Sequence, residues 1–193
     1  MDVRVTTIPS WILEYVYRHY PRETSTDDQA HEATQETRRL REAQSEARRD
    51  RSRLIALLEA FEKNLPGVRA LDLSYLSYDA CYIARVNADP VGTNTVRWRE
   101  LVPCISIIAP FYFMYQSLIE IQVSGERKTS VSFGPDTDLA NFWRDVARLV
   151  EQIFGYTAIG PEVGLKVVSN VQIQNVPLGS ATLYDCLFTP SRE

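Results

Sequence analysis

Apolar and polar residues alternate along the middle of the chain, from residue 107 to residue 123 and again from 128 to 133. Odd-numbered positions are mostly apolar in both segments, whereas even-numbered positions are mixed or polar. A period of two predicts β-strands that turn one face toward a core. If residues 124–126 form a three-residue loop, the two strands make a hairpin in which Ile121 lies opposite Thr129.

The same region contains an uncharged stretch, residues 101–119, whose length approaches that of a membrane-spanning helix. Pro103 and Pro110 interrupt this stretch, and Gln116 lies near its end. Together with the alternation, these residues favour strands in a folded domain. We therefore expect no membrane span.

Four further segments have features of strands or loops. Residues 69–86 alternate, but the apolar positions change from odd to even, which predicts a bulge or bend near residues 74–77. Residues 163–174 show alternation typical of a half-exposed strand, and a following turn leads into a last predicted strand at 181–188. Turn-forming residues predict a loop at 87–95.

The remaining segments have helical patterns. A short helix is predicted at residues 11–20, with Ser10 as its N-cap. Residues 25–64 contain neither Gly nor Pro and are rich in helix formers, so one long helix of about 60 Å is the simplest interpretation. That helix either projects from the domain or breaks and folds back. The clearest amphipathic helix spans residues 138–154 and ends at Gly155.

These elements predict an α+β fold with a mostly antiparallel sheet of about five or six strands. One amphipathic helix packs on the sheet, and a long helical arm lies at the N-terminus. Residues 1–66 are the helical N-terminal region, with the short helix and the long charged helix, and residues 67–193 are the α+β domain. We expect one structural unit, since 193 residues suit a single domain.

Composition is that of an ordinary globular protein, with 45% apolar and 24% charged residues. A net charge of −4 disfavours the binding of a polyanion by the molecule as a whole. Cys81, Cys104 and Cys186 form no C-x-x-C pair, which fits reduced thiols better than disulfides or a zinc site. Whether any of these thiols is reactive stays open. No secretory signal pattern is visible, so we expect a cytoplasmic protein.

No catalytic signature stands out in the sequence. The glycines match neither common phosphate-binding pattern, and no G-x-S-x-G motif of a serine hydrolase occurs. The two histidines, His19 and His31, both lie in the helical N-terminal region. We therefore expect no cofactor and no metal. The absence of a catalytic motif also disfavours an enzyme.

An arginine-rich segment at residues 38–53 contains seven arginines, including Arg48 and Arg49. Acidic residues at helical spacing can pair with them, so a solvated, self-paired face is the simpler interpretation. The segment contains no aromatic residue to stack on bases, and nucleic acid is therefore not the expected partner. Arg48 and Arg49 are candidates for contact with a protein partner, and residues 25–64 could mediate homo-oligomer formation.

Tyrosine is the second candidate signal for binding, with ten residues in the chain. Tyrosine is enriched at protein interfaces because it supplies contact area and a hydroxyl group at low entropic cost. Strands also use tyrosine for packing alone. The candidates are the three on the segment 69–86 and the two on the next strand: Tyr75, Tyr78, Tyr82, Tyr112 and Tyr115.

The segment IAPFYFMYQSLIEIQVSGERKTSVSF, followed by DLANFWRDVARLVEQIFGY, resembles small bacterial immunity proteins in its general character. The resemblance covers about residues 68–190 and implies a cytoplasmic, non-catalytic protein that binds and blocks a cognate toxin. Two alternatives stay open. One is an enzyme or small-ligand domain with a site at the sheet mouth, near Tyr112, Tyr115 and Cys104. The other is an oligomeric scaffold subunit that uses the helical arm.

Overall fold

The structure, a computed structural model, describes residues 7–24, 29–88, 96–122, 124–173 and 176–188. Within these ranges the helices are α1 (Ser10–His19), α2 (Gln29–Glu32), α3 (Gln35–Arg49), α4 (Ser52–Asn64), α5 (Ala140–Phe154), α6 (Pro161–Gly164) and α7 (Leu183–Phe188). The strands are β1 (Ala70–Asp72), β2 (Cys81–Asn87), β3 (Arg97–Ser106), β4 (Phe111–Ile121), β5 (Arg127–Ser132) and β6 (Thr157–Ala158). The predicted α+β class is confirmed.

All six strands belong to one sheet with the order β1-β2-β3-β4-β5, in which every pair of neighbours is antiparallel. The short strand β6 pairs with β4 in parallel, which makes the sheet mixed. The mostly antiparallel sheet predicted from the alternation is therefore confirmed. Among the described helices, none combines the length and the apolar character that crossing a membrane requires.

Each face of the sheet carries a core of its own. One cluster, the α1–α7 core, combines residues of those two helices with strand residues such as Cys104 and Phe113. The other, the α4–α5 core, combines residues of those helices with alternate strand residues such as Ile105 and Tyr112. Both faces of β4 are buried over much of its length, including the even-numbered face that the pattern described as mixed. The sheet is thus a central layer between helices.

The single long helix predicted at residues 25–64 is wrong. The described part of that segment, residues 29–64, forms α2, α3 and α4, with interruptions that contain neither Gly nor Pro. Thr34 caps α3, because its hydroxyl oxygen accepts the N–H of Thr37 at 3.2 Å. Asp50 ends α3, and its carboxylate accepts the N–H of Ser52 at 3.0 Å where α4 begins. Local capping by short polar side chains therefore divides the segment.

The N-terminal helices fold back against the rest of the chain. Gln44 of α3 donates a hydrogen bond to the backbone oxygen of Asp79 at 3.3 Å. The Tyr82 hydroxyl donates to the backbone oxygens of Ala47 and Asp50 at 3.2 and 3.0 Å. Helix α4 contributes three buried side chains to the α4–α5 core. The predicted arm is therefore a packed layer of the domain.

The strand predicted at 181–188 is also wrong, because its last six residues form α7. Thr182 and Asp185 make a capping box at the start of this helix. The Asp185 carboxylate accepts the Thr182 N–H at 2.8 Å, and the Thr182 hydroxyl oxygen accepts the Asp185 N–H at 3.1 Å. The strand predicted at 163–174 is replaced by the short helix α6 and isolated bridges.

The predicted bend near residues 74–77 is a reversal of the chain, so that residues 69–86 form two antiparallel strands, β1 and β2. The β4–β5 hairpin is confirmed, but its register is not: Ile121 pairs with Arg127, and Thr129 pairs with Ile119. The observed pairing is displaced by two residues from the predicted register, which preserves the facing of every side chain. The loop predicted at 87–95 lies mostly outside the described residues.

Two predicted helices are confirmed with small changes at their starts. The first is α1, where Pro9 occupies the N-cap position assigned to Ser10. The second is α5, which follows a 3₁₀ turn at Thr137–Leu139. Gly155 ends α5 with a left-handed φ of 65°, a conformation that glycine adopts without steric cost.

His19 of α1 is buried, and its Nδ1 lies 2.9 Å from the backbone oxygen of Tyr15. Burial lowers the pKa of His19 from its ordinary 6.5, the bond to Tyr15 opposes this shift, and the charges of Arg18 and Arg39 add to it. Protonation is then less favourable in the folded chain than in the unfolded chain. We therefore expect the free energy of unfolding to fall as the pH drops below about 6.5.

The variant His19→Gln isolates this contribution, because glutamine keeps hydrogen-bonding capacity without titrating in this range. Urea unfolding of both proteins at pH values above and below 6.5 is the measurement. The wild-type chain should lose more stability on acidification than the variant. Equal losses in the two proteins would contradict the prediction.

Candidate protein-binding surface

A tight turn after β1 brings together two of the nominated tyrosines. The backbone oxygen of Tyr75 accepts the N–H groups of Tyr78 and Asp79 at 2.9 and 3.0 Å. Residues three apart in such a turn lie on the same side. The rings of Tyr75 and Tyr78 accordingly stack, with centroids 5.0 Å apart and an interplanar angle of 21°.

Both rings face solvent, with 54% of Tyr75 and 51% of Tyr78 exposed. Leu71 and Leu73, which immediately precede the turn, are exposed as well. Single exposed apolar side chains are ordinary, but four within eight consecutive residues at one sheet edge are typical of an interaction site. We call these four residues, together with Arg48, the Tyr75–Tyr78 surface.

Arg48 reaches this surface from α3. Its guanidinium donates a hydrogen bond to the Ser77 hydroxyl at 3.2 Å, inside the turn. Nearby, Arg51 forms an ion pair with Asp72 of β1 at 3.0 Å. Arg49, the other nominated arginine, instead donates to the backbone oxygen of Ser45 at 3.4 Å within its own helix and is exposed. The two nominated arginines therefore have different surroundings.

Buried residues and hydrogen bonds hold the backbone of this turn in place. Leu76, between the two tyrosines, is buried in the α4–α5 core, and Asp79 is buried under α3. Ser74 donates its N–H to Asp72 at 2.8 Å, and its hydroxyl oxygen accepts the N–H of Ile83 at 2.9 Å. Exposed rings on a fixed backbone lose little conformational entropy when they bind, which favours use of the surface in recognition.

The other nominated tyrosines belong to the interior. Tyr82 and Tyr112 lie in the α4–α5 core, and the Tyr112 hydroxyl donates to a Glu151 carboxylate oxygen at 2.7 Å. Tyr115 is half-buried against the α1–α7 core. Burial is the main cause that raises the pKa of each of these three phenols. Their hydroxyl groups are therefore kept protonated, and their rings serve packing.

The site suggested near Tyr112, Tyr115 and Cys104 does not assemble. Three residues apart on β4, the two tyrosines point to opposite faces of the sheet, and only Tyr115 shares a face with Cys104. The Cys104 sulfur lies 3.9 Å from the hydroxyl of the buried Tyr184. All three nominated side chains are thus parts of packed layers.

The cysteines are buried, and burial raises the pKa of both the Cys81 and Cys186 thiols. The Cys81 thiol also donates to the backbone oxygen of Phe188 at 2.7 Å. A protonated, enclosed thiol is a poor nucleophile and a poor metal ligand. Within the described ranges, no group of three His, Cys, Asp or Glu side chains is placed to hold a metal ion.

A shallow depression lies on the outer side of α5, lined by Asn141, Arg144, Asp145, Ala147, Arg148 and Glu151. Its polar groups pair along the helix. Arg148 donates to Asp145 at 3.0 Å, and Arg144 donates to Asn141. Pairs of this kind on one helix are typical of a solvated face.

Part of the segment 25–64, nominated for self-association, packs within the chain. Thr37, Gln44 and Ala47 are buried, and Thr37 donates its hydroxyl to the backbone oxygen of His31 at 2.9 Å. These three side chains are therefore not available for contact with a second copy.

Sequence reasoning nominated Tyr75, Tyr78 and Arg48 but missed Leu71 and Leu73. The available signal was the apolar parity switch between Tyr75 and Leu76, which predicts that a short strand ends close to Leu71 and Leu73. Arg48 joins the turn only because α3 folds back, a long-range contact that no local pattern specifies. The chain matches no family model, no curated protein and no solved structure.

Proposed function

We propose that this chain is a non-catalytic protein that binds another protein through the Tyr75–Tyr78 surface. The observation that carries this proposal is the stacked, exposed tyrosine pair beside Arg48 on a fixed turn. Tyrosine and arginine are the residue types that most often dominate binding energy at interfaces. The exposed Leu71 and Leu73 add apolar area at the same edge.

The finer proposal is that the partner is a cognate toxin, which the chain binds and blocks in the cytoplasm of a bacterium. Its support is the general likeness of the hairpin and helix segments to immunity proteins, together with the acidic net charge of −4. Catalysis has weaker support, since Tyr112 and Tyr115 lie on opposite faces of the sheet.

The double variant Tyr75→Ala/Tyr78→Ala should abolish recovery of the partner. Truncation of one central aromatic residue costs about 2 kcal/mol or more of binding free energy, roughly thirtyfold in affinity. Because both rings are exposed, the thermal unfolding midpoint should change little. The measurement is affinity purification from the native host followed by mass spectrometry, with wild type and variant compared at equal amounts.

Leu178→Ala is the matched control, because Leu178 is also exposed but lies in the C-terminal segment. It should recover the same partner as the wild-type chain. Undiminished recovery by the double variant would refute the assignment of the surface. Expression of the recovered partner alone tests the finer proposal: it should arrest growth, and co-expression of the wild-type chain should relieve the arrest.

A further inference from the structure

The two edges of the sheet differ in how well they are protected. Strand β1 is short, and its Ala70 N–H is bonded to a Glu62 carboxylate oxygen at 3.3 Å. Asp72, at the end of the strand, is held by Arg51. Short length and coverage of backbone groups are among the usual means of preventing edge-to-edge pairing. The β1 edge is therefore closed to a further strand.

Strand β5 forms the other edge, and all six of its residues are exposed. One hydrogen bond next to the loop shows which residues of β5 bond to β4. The N–H of Gln122 donates to the backbone oxygen of Glu126 at 2.8 Å. In an antiparallel pair, hydrogen-bonded and non-bonded positions alternate. Even-numbered residues of β5 therefore bond to β4, and the backbone groups of Arg127, Thr129 and Val131 point outward.

These outward groups have no internal partner within the described part of the chain. Apolar side chains accompany them on the same side of the sheet. Val131 and Phe133 are exposed, as is Ile121 on the neighbouring strand. A six-residue edge with free backbone groups and adjacent apolar area is a template for an added strand.

We infer that β5 pairs with β5 of a second copy of this chain, antiparallel and about a two-fold axis at Thr129. Residues whose backbone groups point outward must lie opposite such residues of the second copy, because only these can form hydrogen bonds between the chains. Allowed pairings of the two strands therefore differ by two residues. With Thr129 opposite Thr129 of the second copy, Arg127 faces Val131 and Lys128 faces Ser130. All three outward residues then find partners, giving about six hydrogen bonds between the chains.

Charge selects this register over its neighbours. Moving the axis to Lys128 would place two ammonium groups directly opposite each other, which is destabilising. Moving it to Ser130 would leave the outward groups of Arg127 opposite a residue beyond the end of the strand. In the selected register no like charges face each other, and paired threonines favour the contact.

Pairing at β5 leaves the Tyr75–Tyr78 surface free, because that surface lies at the opposite edge of each sheet. The strands β1 to β5 of the two copies would join into one continuous sheet of ten strands. Its two Tyr75–Tyr78 surfaces would be separated by nine strand spacings, about 43 Å before twist. The dimer does not depend on the proposed function, and its test does not require the partner.

Light scattering coupled to size-exclusion chromatography of the full chain tests the pairing. The wild-type chain should show twice its mass of 22.1 kDa. Thr129→Pro removes one outward N–H without touching the bonds to β4, so it should reduce the mass to that of one chain. Thr129→Val, which keeps the N–H, should remain dimeric, and circular dichroism should show that both variants are folded.

Disulfide trapping tests the register without relying on proline. Thr129→Cys places two cysteines directly opposite each other, within the span of a disulfide, whereas two Val131→Cys residues would be about 14 Å apart. Under copper–phenanthroline oxidation, only the first variant should form a covalent dimer, because the native cysteines are buried. A monomeric wild-type chain, or equal trapping by both variants, overturns the inference.

Discussion

Phe61→Ala should lower the free energy of unfolding by about 3 to 5 kcal/mol, the usual cost of removing a fully buried aromatic ring. Phe61 is 0% exposed and lies on α4, inside the α4–α5 core. The substitution removes its buried area and leaves a cavity, since the surrounding helices and sheet relax only in part. Urea unfolding followed by far-ultraviolet circular dichroism is the measurement.

Ile55→Ala is the matched control, because Ile55 is on the same helix but is 53% exposed. Its effect should lie within about 0.5 kcal/mol of zero. The contrast arises because α4 is fixed against α5. The Arg53 guanidinium donates to the backbone oxygen of Phe154 at 2.6 Å and lies 4.5 Å from the centre of its ring. Similar small effects of both variants would show that α4 projects from the domain.

Glu100→Ala should cost about 2 to 4 kcal/mol, because it leaves a partly enclosed arginine without its partner. Glu100 is 4% exposed. One of its carboxylate oxygens lies 3.0 Å from Arg85 Nε, and the other accepts the indole N–H of Trp98 at 2.8 Å. The Arg85 side chain is 30% exposed, so water screens part of the loss and the cost stays below that of a fully buried pair.

A double-mutant cycle with Arg85→Ala separates the ion pair from other effects of the substitution. The double variant should be destabilised by less than the sum of the two single variants, because the second substitution removes the unpaired charge. Glu100→Gln keeps an acceptor for Trp98 and should cost less than Glu100→Ala. If the losses of stability in the two single variants simply add up in the double variant, Glu100 and Arg85 do not stabilise the fold as an ion pair.

The elements that sequence predicted well are those with strong and uninterrupted periodicity. Helix α5 has a complete apolar stripe and a terminal Gly155, and both signals are local. The β4–β5 hairpin was predicted for the same reason. Its register was not, because displacing the pairing by two residues leaves the alternation unchanged. A sequence pattern alone therefore predicts which face of the sheet a residue lies on better than it predicts the residue opposite it on the next strand.

The errors have physical causes that can be read from single residues. Helix α7 is buried all round, so it has no polar face to reveal its period. Its capping residues, Thr182 and Asp185, were the available signal. The long helix was predicted because the breaks depend on Thr34 and Asp50, polar caps that also occur within helices. Folding back of α3, which places Arg48 beside the tyrosines, is a tertiary effect.

Photo-crosslinking from within the Tyr75–Tyr78 surface is the most direct test of the proposed function. Tyr78→p-benzoylphenylalanine keeps an aromatic ring at the exposed position, and the same substitution at Leu178 is the control. In the native host, irradiation should join the chain carrying the probe at position 78 to one partner protein, with no such product from position 178. Equal labelling from both positions, or none from position 78, would contradict the assignment of this surface as the binding site.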